Sequence, residues 1–319
     1  MPHNGCPNKC SFCNQKNITG QAYQPDFTDV CSILEKAVSD LGDNAKNAEI
    51  AFFGGSFTAI DRDYMISLLD ATKSYIDQFM GIRISTRPDC INTEILDILK
   101  FYKVTSIELG AQSMDDEVLL ANKRGHSAGD IVKASELIKQ YGLSFGLQMM
   151  TGLYKSDFNK DIYTAEKFIQ LKPDTVRIYP TIVMKDTDLA DYYNNGSFVP
   201  YTLEESVSLC AKLILMFENE NIKIIRLGLH YSDSLINNSL GNNYHPAFKE
   251  LCENKIFLDK LILVAGTTEN KNLTVCVNQK SLSKLLGQKK SNITQLNKYG
   301  YNIKTEIDNS LGKYDLYIK

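Results

Sequence analysis

Five times in succession this chain follows a helix-patterned stretch with a short apolar run, and that alternation limits the folds open to its 319 residues. Val30, Ile33, Leu34, Ala37, Val38 and Leu41 mark a helix over 28–41, and Glu49-Ile50-Ala51-Phe52-Phe53 then reads as a short buried strand. A helix near 61–79 precedes the strand Ile82–Thr86, and a helix over 92–102 precedes Ser106–Gln112. Helices over 127–141 and 157–170 precede Ser144–Met150 and Thr175–Tyr179, and a last strand is expected around Arg226–His230. Short buried strands alternating with helices predict an α/β fold, a parallel sheet with crossover helices. Repeated this often, the pattern suits a full or partial (β/α) TIM-like barrel, where chemistry gathers at the C-terminal strand ends. Gly54-Gly55, Ser85-Thr86-Arg87, Glu108, Gln112, Gln148 and Tyr179 fall at those ends. Singly each suits a satisfied polar group; together they suit one ring facing one ligand.

The densest chemistry lies near the start. Cys6, Cys10 and Cys13 stand at C-x3-C-x2-C spacing within His3-Asn4-Gly5-Cys6-Pro7-Asn8-Lys9-Cys10-Ser11-Phe12-Cys13-Asn14-Gln15. A loop this short and rich in Gly, Pro and Asn can curl three thiolates around one inorganic centre. Iron–sulfur clusters usually take four thiolates, so three leave one iron of a [4Fe–4S] cluster open to another ligand. The competing reading is a structural zinc site, which needs four ligands; no second C-x2-C exists, and His3 is the candidate fourth.

Composition narrows the setting. The chain is 43% hydrophobic and 23% charged, enough for a sizeable core, with no apolar run long enough to span a bilayer and no signal-peptide core. Cys31, Cys90, Cys210, Cys252 and Cys276 are scattered through apolar patterns as buried thiols usually are, so a reducing cytoplasm is expected. Residues 260–319 hold 10 Lys against 4 acidic residues, a balance of +6. The remaining 25 basic and 34 acidic residues leave −9 for 1–259. A basic tail on an acidic body suits contact with a polyanion, or merely a solvated lysine-rich surface.

The cysteine spacing, with Phe12 just ahead of the last cysteine, resembles the signature of the radical S-adenosylmethionine superfamily. The resemblance implies two cofactors, a [4Fe–4S] cluster on Cys6, Cys10 and Cys13 and S-adenosyl-L-methionine chelated to the open iron. It implies an external electron donor such as flavodoxin or ferredoxin, and reductive cleavage of a C–S bond to give a 5′-deoxyadenosyl radical. Barrels of this family place a strand directly before the cysteine loop, and only five residues precede Cys6. Either the sequence begins partway into a longer protein or the first strand is missing, and the expectation is a partial barrel of about five or six strands, open at that edge.

Longer segments resemble the radical domain of the Elongator catalytic subunit, which modifies wobble uridine in tRNA. They are Phe52–Thr58, Ser85-Thr86-Arg87-Pro88-Asp89, Glu108–Ser113, Lys123-Arg124-Gly125-His126, Arg177-Ile178-Tyr179-Pro180-Thr181 and Asp186–Leu189, in order across about residues 3–230. On this resemblance Gly54, Gly55, Ser56, Ser85, Glu108, Gln112, Arg124 and Gln148 are the expected cofactor-binding residues. Gly54 and Gly55 would take the amino group of S-adenosylmethionine. Gln112 and Arg124 match positions that hold its ribose and carboxylate, here and in oxygen-independent coproporphyrinogen oxidases. Ser85 stands where Elongator-type proteins typically have Glu, and Gln148 where those oxidases have Asp, so the ribose contacts would differ. Elongator's extra zinc-cysteine loop and its acetyltransferase domain have no counterpart in this sequence, so acetyl transfer is not implied.

The expected division is a barrel domain over 1–240 and a small basic domain over 241–319. His230 and His245, near the junction, are candidates for proton exchange with substrate or for capping loops. The second domain reads as helix 246–255, strand 260–265, strand 272–277, helices 280–286 and 291–298, strand 301–307 and a last strand near 314–318. That order resembles a type II KH domain, an RNA-binding module whose G-x-x-G loop clamps the nucleic-acid backbone. Gly287-Gln288-Lys289-Lys290 occupies that loop with Lys290 in place of the second glycine. Gly287, Lys289 and Lys290 are the candidate RNA contacts. The sequence thus reads as a radical S-adenosylmethionine enzyme acting on an RNA, tRNA or rRNA. The alternatives are such an enzyme acting on a small metabolite, and a non-catalytic zinc- or RNA-binding protein.

Overall fold

The structure is a computed structural model and describes residues 6–14, 23–241 and 243–319. His3, the candidate fourth ligand of a zinc site, lies outside them. The chain forms two compact units. The first takes in the chain up to Tyr201 together with Phe217–Asn243, and the second is Thr202–Met216 with Tyr244–Lys319. A division at 240/241 would place Thr202–Met216 in the first domain, whereas here that segment groups with the second unit.

The first unit is built on a six-stranded sheet of β1 (Glu49–Phe52), β2 (Gly81–Thr86), β3 (Val104–Gln112), β4 (Ser144–Thr151), β5 (Thr175–Pro180) and β7 (Lys223–Leu227). Every neighbouring pair is parallel, and the spatial order follows the chain. β1 and β7 are the two edges, so the sheet is a partial barrel. A short antiparallel pair, β6 (Val183–Met184) and β8 (Ser239–Leu240), lies apart from it. In β3 every residue except Thr105 is buried, as a central strand covered on both faces must be. Helix α1 (Phe27–Leu41) leads into β1, and α2 (Arg62–Asp70), α3 (Thr93–Phe101), α4 (Asp116–Ala121), α5 (Ala128–Gln140) and α6 (Phe158–Leu171) connect the strands. Each starts on a side-chain cap, Asp26, Asp61, Asn92, Asp115, Ser127 or Asp157, which accepts an otherwise orphaned first-turn N–H. The helix expected to run to 79 stops at Asp70. Thr72 turns its hydroxyl onto the Leu69 carbonyl (2.7 Å), and tighter turns of the 3-10 kind carry the chain on to Gln78.

In the second unit, after α7 (Asp188–Asn194), α8 (Leu203–Asn219) and α9 (Asp233–Asn238), come α10 (Phe248–Ala265), β9 (Asn272–Val277), α11 (Leu282–Leu286), α12 (Ser291–Lys298), β10 (Asn302–Ile307) and β11 (Leu316–Ile318). Of these, α7 and α9 belong to the first unit. The strand expected at 260–265 does not form; those residues are the last turns of α10. Phe248, Cys252, Ile256, Phe257, Leu261 and Ala265 are buried at helical spacing while Leu263 is 71% exposed, so the 3.6-residue period runs straight through the apolar run. Such a run, taken alone, cannot tell helix from strand. The order is therefore α-β-α-α-β-β, and the KH-like pattern keeps only its β-α-α-β core. In the three-stranded sheet β9 is central, parallel to β10 and antiparallel to β11.

Candidate active site

The cysteine loop is held by a turn more than a hundred residues away. Helix α4 ends at Asn122, and Lys123 and Gly125 follow with left-handed backbones (φ +54° and +70°). Carbonyls left over at a helix end need outside donors, and the loop supplies them. Ser11 N–H donates to the Asn122 carbonyl (3.1 Å) and its hydroxyl to Asn122 Oδ1 (2.8 Å), while Asn8 Nδ2 donates to the Lys123 carbonyl (2.9 Å). Leu189 N–H closes the other side on the Ser11 carbonyl (2.8 Å). A side chain at Gly125 would approach Asn8 Oδ1 to 3.3 Å and the Arg87 guanidinium to 3.0 Å, so the seat for Asn8 requires a glycine. Phe12 packs against an apolar cluster of Val183, Leu189, Ala190 and Phe198, with the Arg124 guanidinium 5.8 Å from its ring centre.

Cys10 is buried, and Cys6 and Cys13 are half-buried. Burial pushes the Cys13 thiol up to about 12, and the neighbouring Cys10 and Cys6 add to this against the opposing charge of Arg124. A metal centre takes cysteine as the thiolate, so binding one here would displace these protons. Among the described residues no three His, Cys, Asp or Glu side chains close on a single metal ion. A structural zinc takes four ligands in one tetrahedron, whereas a cluster takes one thiolate on each of several irons, and cysteine thiols are the donor type that a cluster takes. A cavity of about 420 Å³ opens beside Cys6, lined also by Pro7, Gln24, Ala59, Ile60, Asp61 and Tyr64.

At the C-terminal end of β3, Gln112 breaks the register with β4 and takes a left-handed backbone (φ +71°). Its side chain is buried, and Oε1 has no hydrogen-bond partner among the described residues. Arg124, 6% exposed, donates to Cys10 Sγ (3.0 Å) and to the Gly110 carbonyl, and its Nε has no partner among the described residues. Such orphaned buried atoms mark a place where a polar ligand is expected. Gly54 is exposed and Gly55 half-buried, so their backbones are open to a ligand. Ser56 is occupied otherwise: its hydroxyl bonds Thr86 Oγ1 (2.9 Å) and accepts from Arg87 N–H (3.0 Å), tying β1 to β2. Behind this rim His126 is buried, its Nε2 3.3 Å from the Ala111 carbonyl. Burial, then the charge of Arg124, push its imidazole down to about 4, so it is neutral.

Ser85, Glu108 and Gln148 come together deeper in the sheet. Glu108, 2% exposed, accepts from Arg177 Nε (2.5 Å) and Nη2 (2.9 Å) and from Arg83 Nη1 (2.9 Å). Gln148 Nε2 bridges Glu108 (3.0 Å) and Ser85 (3.0 Å), and Arg83 also pairs with Glu49. Burial pushes the Glu108 carboxyl up, but the donors on it outweigh this and hold it below its ordinary value. Gly146 makes room for it: a Cβ there would lie 2.7 Å from Thr175 Oγ1 and 3.0 Å from Glu108 Cγ. The sequence reading missed Arg83, Arg177 and Glu49 as members of this site. Their signal was charge at alternate positions of otherwise apolar strands, where neighbouring strands repeat the same face.

The remaining candidates sit elsewhere. Gly287 (φ +77°), Lys289 (+52°) and Lys290 (+61°) form a left-handed turn into α12, with both lysines exposed. Lys290 thus adopts the conformation that a second glycine would take. A Cβ at Gly287 would meet Ser291 Oγ at 2.5 Å. His230 is exposed beyond β7, and His245 Nδ1 accepts from Ala247 N–H (3.1 Å), capping its own loop. Among the described residues no helix is long and apolar enough to cross a membrane.

Comparison with known proteins bears on both ends of the sheet. The Radical SAM superfamily description matches residues 1–164, and that of the Radical SAM C-terminal domain matches 173–257. A tRNA uridine(34) acetyltransferase of Dehalococcoides mccartyi is 27% identical over 232 residues, covering 61% of this chain and 50% of that protein. Elongator complex protein 3 of Homo sapiens is 28% identical over 202 residues, 56% of this chain and 37% of that protein. The chain thus spans half or less of the length of these two relatives. Among solved structures, Methanocaldococcus infernus Elp3 lacking residues 1–46 aligns with a TM-score of 0.55 at 24% identity, covering 66% of this chain and 57% of that one. Escherichia coli coproporphyrinogen III oxidase aligns at 0.52 and 16% identity, covering 69% and 51%. At these identities the alignments establish the partial-barrel fold.

Proposed function

The chain belongs to the radical S-adenosylmethionine superfamily, enzymes that use a [4Fe–4S] cluster and S-adenosylmethionine, and on that premise we propose that Cys6, Cys10 and Cys13 hold the cluster and that the substrate is an RNA, tRNA foremost. When bound, the two cofactors supply one-electron cleavage of S-adenosylmethionine and with it a 5′-deoxyadenosyl radical able to abstract hydrogen. The observation that carries the reading is the docking of the three-thiol loop on the 122–125 turn, beside the buried Gln112 whose Oε1 has no partner among the described residues.

In this reading each residue has a limited task. The backbones of Gly54 and Gly55 receive the amino group, and Gln112 and Arg124 reach the ribose and carboxylate. Ser56 holds the Gly-Gly segment by tying it to Thr86. Glu108, with Gln148 and Ser85, keeps Arg83 and Arg177 fixed on the face of the sheet rather than binding the cofactor by a free carboxylate. Phe12 buries the loop's outer edge and limits water at the thiols. RNA as substrate is supported by the tRNA activity named for the relatives, by the +6 balance of residues 260–319 and by the exposed Lys289 and Lys290 in the second unit.

Anaerobic reconstitution tests the cluster. About four iron and four sulfide per chain are expected, lost in Cys10→Ala. Stoichiometric zinc with no sulfide would contradict the reading and leave a binding protein.

A further inference from the structure

Arg124 is a buried cation with no anionic partner of the ordinary kind. Its side chain makes two hydrogen bonds, to Cys10 Sγ (3.0 Å) and to the Gly110 carbonyl, and no carboxylate among the described residues lies in ion-pair range. A charge kept this far from water is costly unless something negative compensates it. Within the protein itself, the group in reach that would carry negative charge is the Cys10 sulfur as a cluster ligand. A second donor converges on that same sulfur: Asn8 Nδ2, 3.1 Å away. Asn8 is held in turn by the Lys123 carbonyl (2.9 Å), so both donors are fixed by one turn. Arg124 is anchored independently, through its backbone N–H on the Leu119 carbonyl (3.0 Å) and its guanidinium on Gly110.

We propose that Arg124 and Asn8 are positioning residues that act through Cys10, placing two N–H donors on one cluster-ligand sulfur and so raising the cluster's reduction potential. The inference rests on the cluster assignment above and deepens it. Reduction adds one electron, from an external one-electron donor, and no bond is made or broken. N–H donors on a ligand sulfur draw off part of the added negative charge, and a guanidinium does so more than an amide because it is itself charged. Cys6 and Cys13 have no such donor from a side chain among the described residues, so the effect falls on a single ligand. This role differs from gripping the carboxylate of S-adenosylmethionine, and the two come apart experimentally, since a potential is measured without S-adenosylmethionine present.

The test is an EPR-monitored reductive titration of the reconstituted full chain, wild type against Arg124→Met, Arg124→Lys and Asn8→Ala, with iron and sulfide measured on each. At a fixed ambient potential the reduced-to-oxidised ratio is expected to fall about tenfold in Arg124→Met, the cost of one charge-assisted hydrogen bond. A smaller fall is expected in Asn8→Ala, and partial recovery in Arg124→Lys. Unchanged midpoints in cluster-loaded Arg124→Met and Asn8→Ala would overturn the inference, and weaker binding of S-adenosylmethionine alone would mark Arg124 as a carboxylate clamp. If Arg124→Met holds no cluster, Asn8→Ala decides: a more negative midpoint supports the inference and an unchanged one overturns it. Failure of the wild type to take up a cluster would instead remove the cluster assignment itself.

Discussion

His126 shows how a single buried side chain links this site to stability. Its imidazole is held neutral, down at about 4 against an ordinary 6.5, first by burial and then by the charge of Arg124. The unfolded chain therefore binds the proton more readily than the folded one between those values. The group's contribution is present above pH 6.5 and is lost as pH falls toward 4, by at most about 3 kcal/mol. A His126→Gln variant, unable to titrate, should be less stable than wild type at pH 7, and that deficit should narrow by about 2 kcal/mol at pH 5. Denaturant unfolding at the two pH values checks it; a deficit independent of pH would place the imidazole in an environment that charges it freely. Gly146 makes a second point at this scale. Gly146→Ala should cost about 1–3 kcal/mol, because the new methyl meets Thr175 and Glu108 at distances neither can yield cheaply. An urea midpoint unchanged from wild type would contradict the packing around Glu108.

Among the elements, strands β2 to β5 carry a polar layer that the fold must neutralise internally. Glu108 faces Arg83 and Arg177 across neighbouring strands, so Glu108→Gln leaves Arg177 without its anion and Arg83 with Glu49 alone, and should destabilise by about 3–5 kcal/mol. Because the carboxyl is held below its ordinary value, its stabilisation is present at neutral pH and fades on acidification, and the variant's deficit should shrink in acid. Urea unfolding at pH 7 and in acid is the check. These elements also show what could be read from sequence. The strands of the barrel were legible because each is a short apolar run bounded by a helix with its own cap, so local pattern and tertiary role agree. The α10 segment was not, since Leu261-Ile262-Leu263-Val264 offers no period by itself and only the buried partners upstream, from Phe248 to Phe257, settle its conformation. The site divides the same way. The cysteines are adjacent in sequence and announce themselves, whereas the turn at 122–125 that seats Asn8 and Ser11 lies over a hundred residues away and has no local signature of contact. Glu108 and Gln148 were legible as polar strand residues, but whether a strand carboxylate faces a ligand or two arginines depends on cross-strand register, which the sequence does not print.

For the whole molecule the claim is that a radical enzyme carries its own basic module. Replacing Lys289 and Lys290 together by Ala should weaken tRNA binding and lower the slope of log affinity against log salt by about 2, one for each lost phosphate contact. Filter binding across a salt series measures this, and an unchanged slope would leave the left-handed turn at 287–290 as a structural feature of its own unit. Radical chemistry at the cysteine loop is read out by 5′-deoxyadenosine. Protein reconstituted anaerobically, reduced with dithionite and given S-adenosylmethionine should form the nucleoside, and Cys10→Ala should not. Wild-type protein that carries a full complement of iron and sulfide yet forms no 5′-deoxyadenosine would contradict the account.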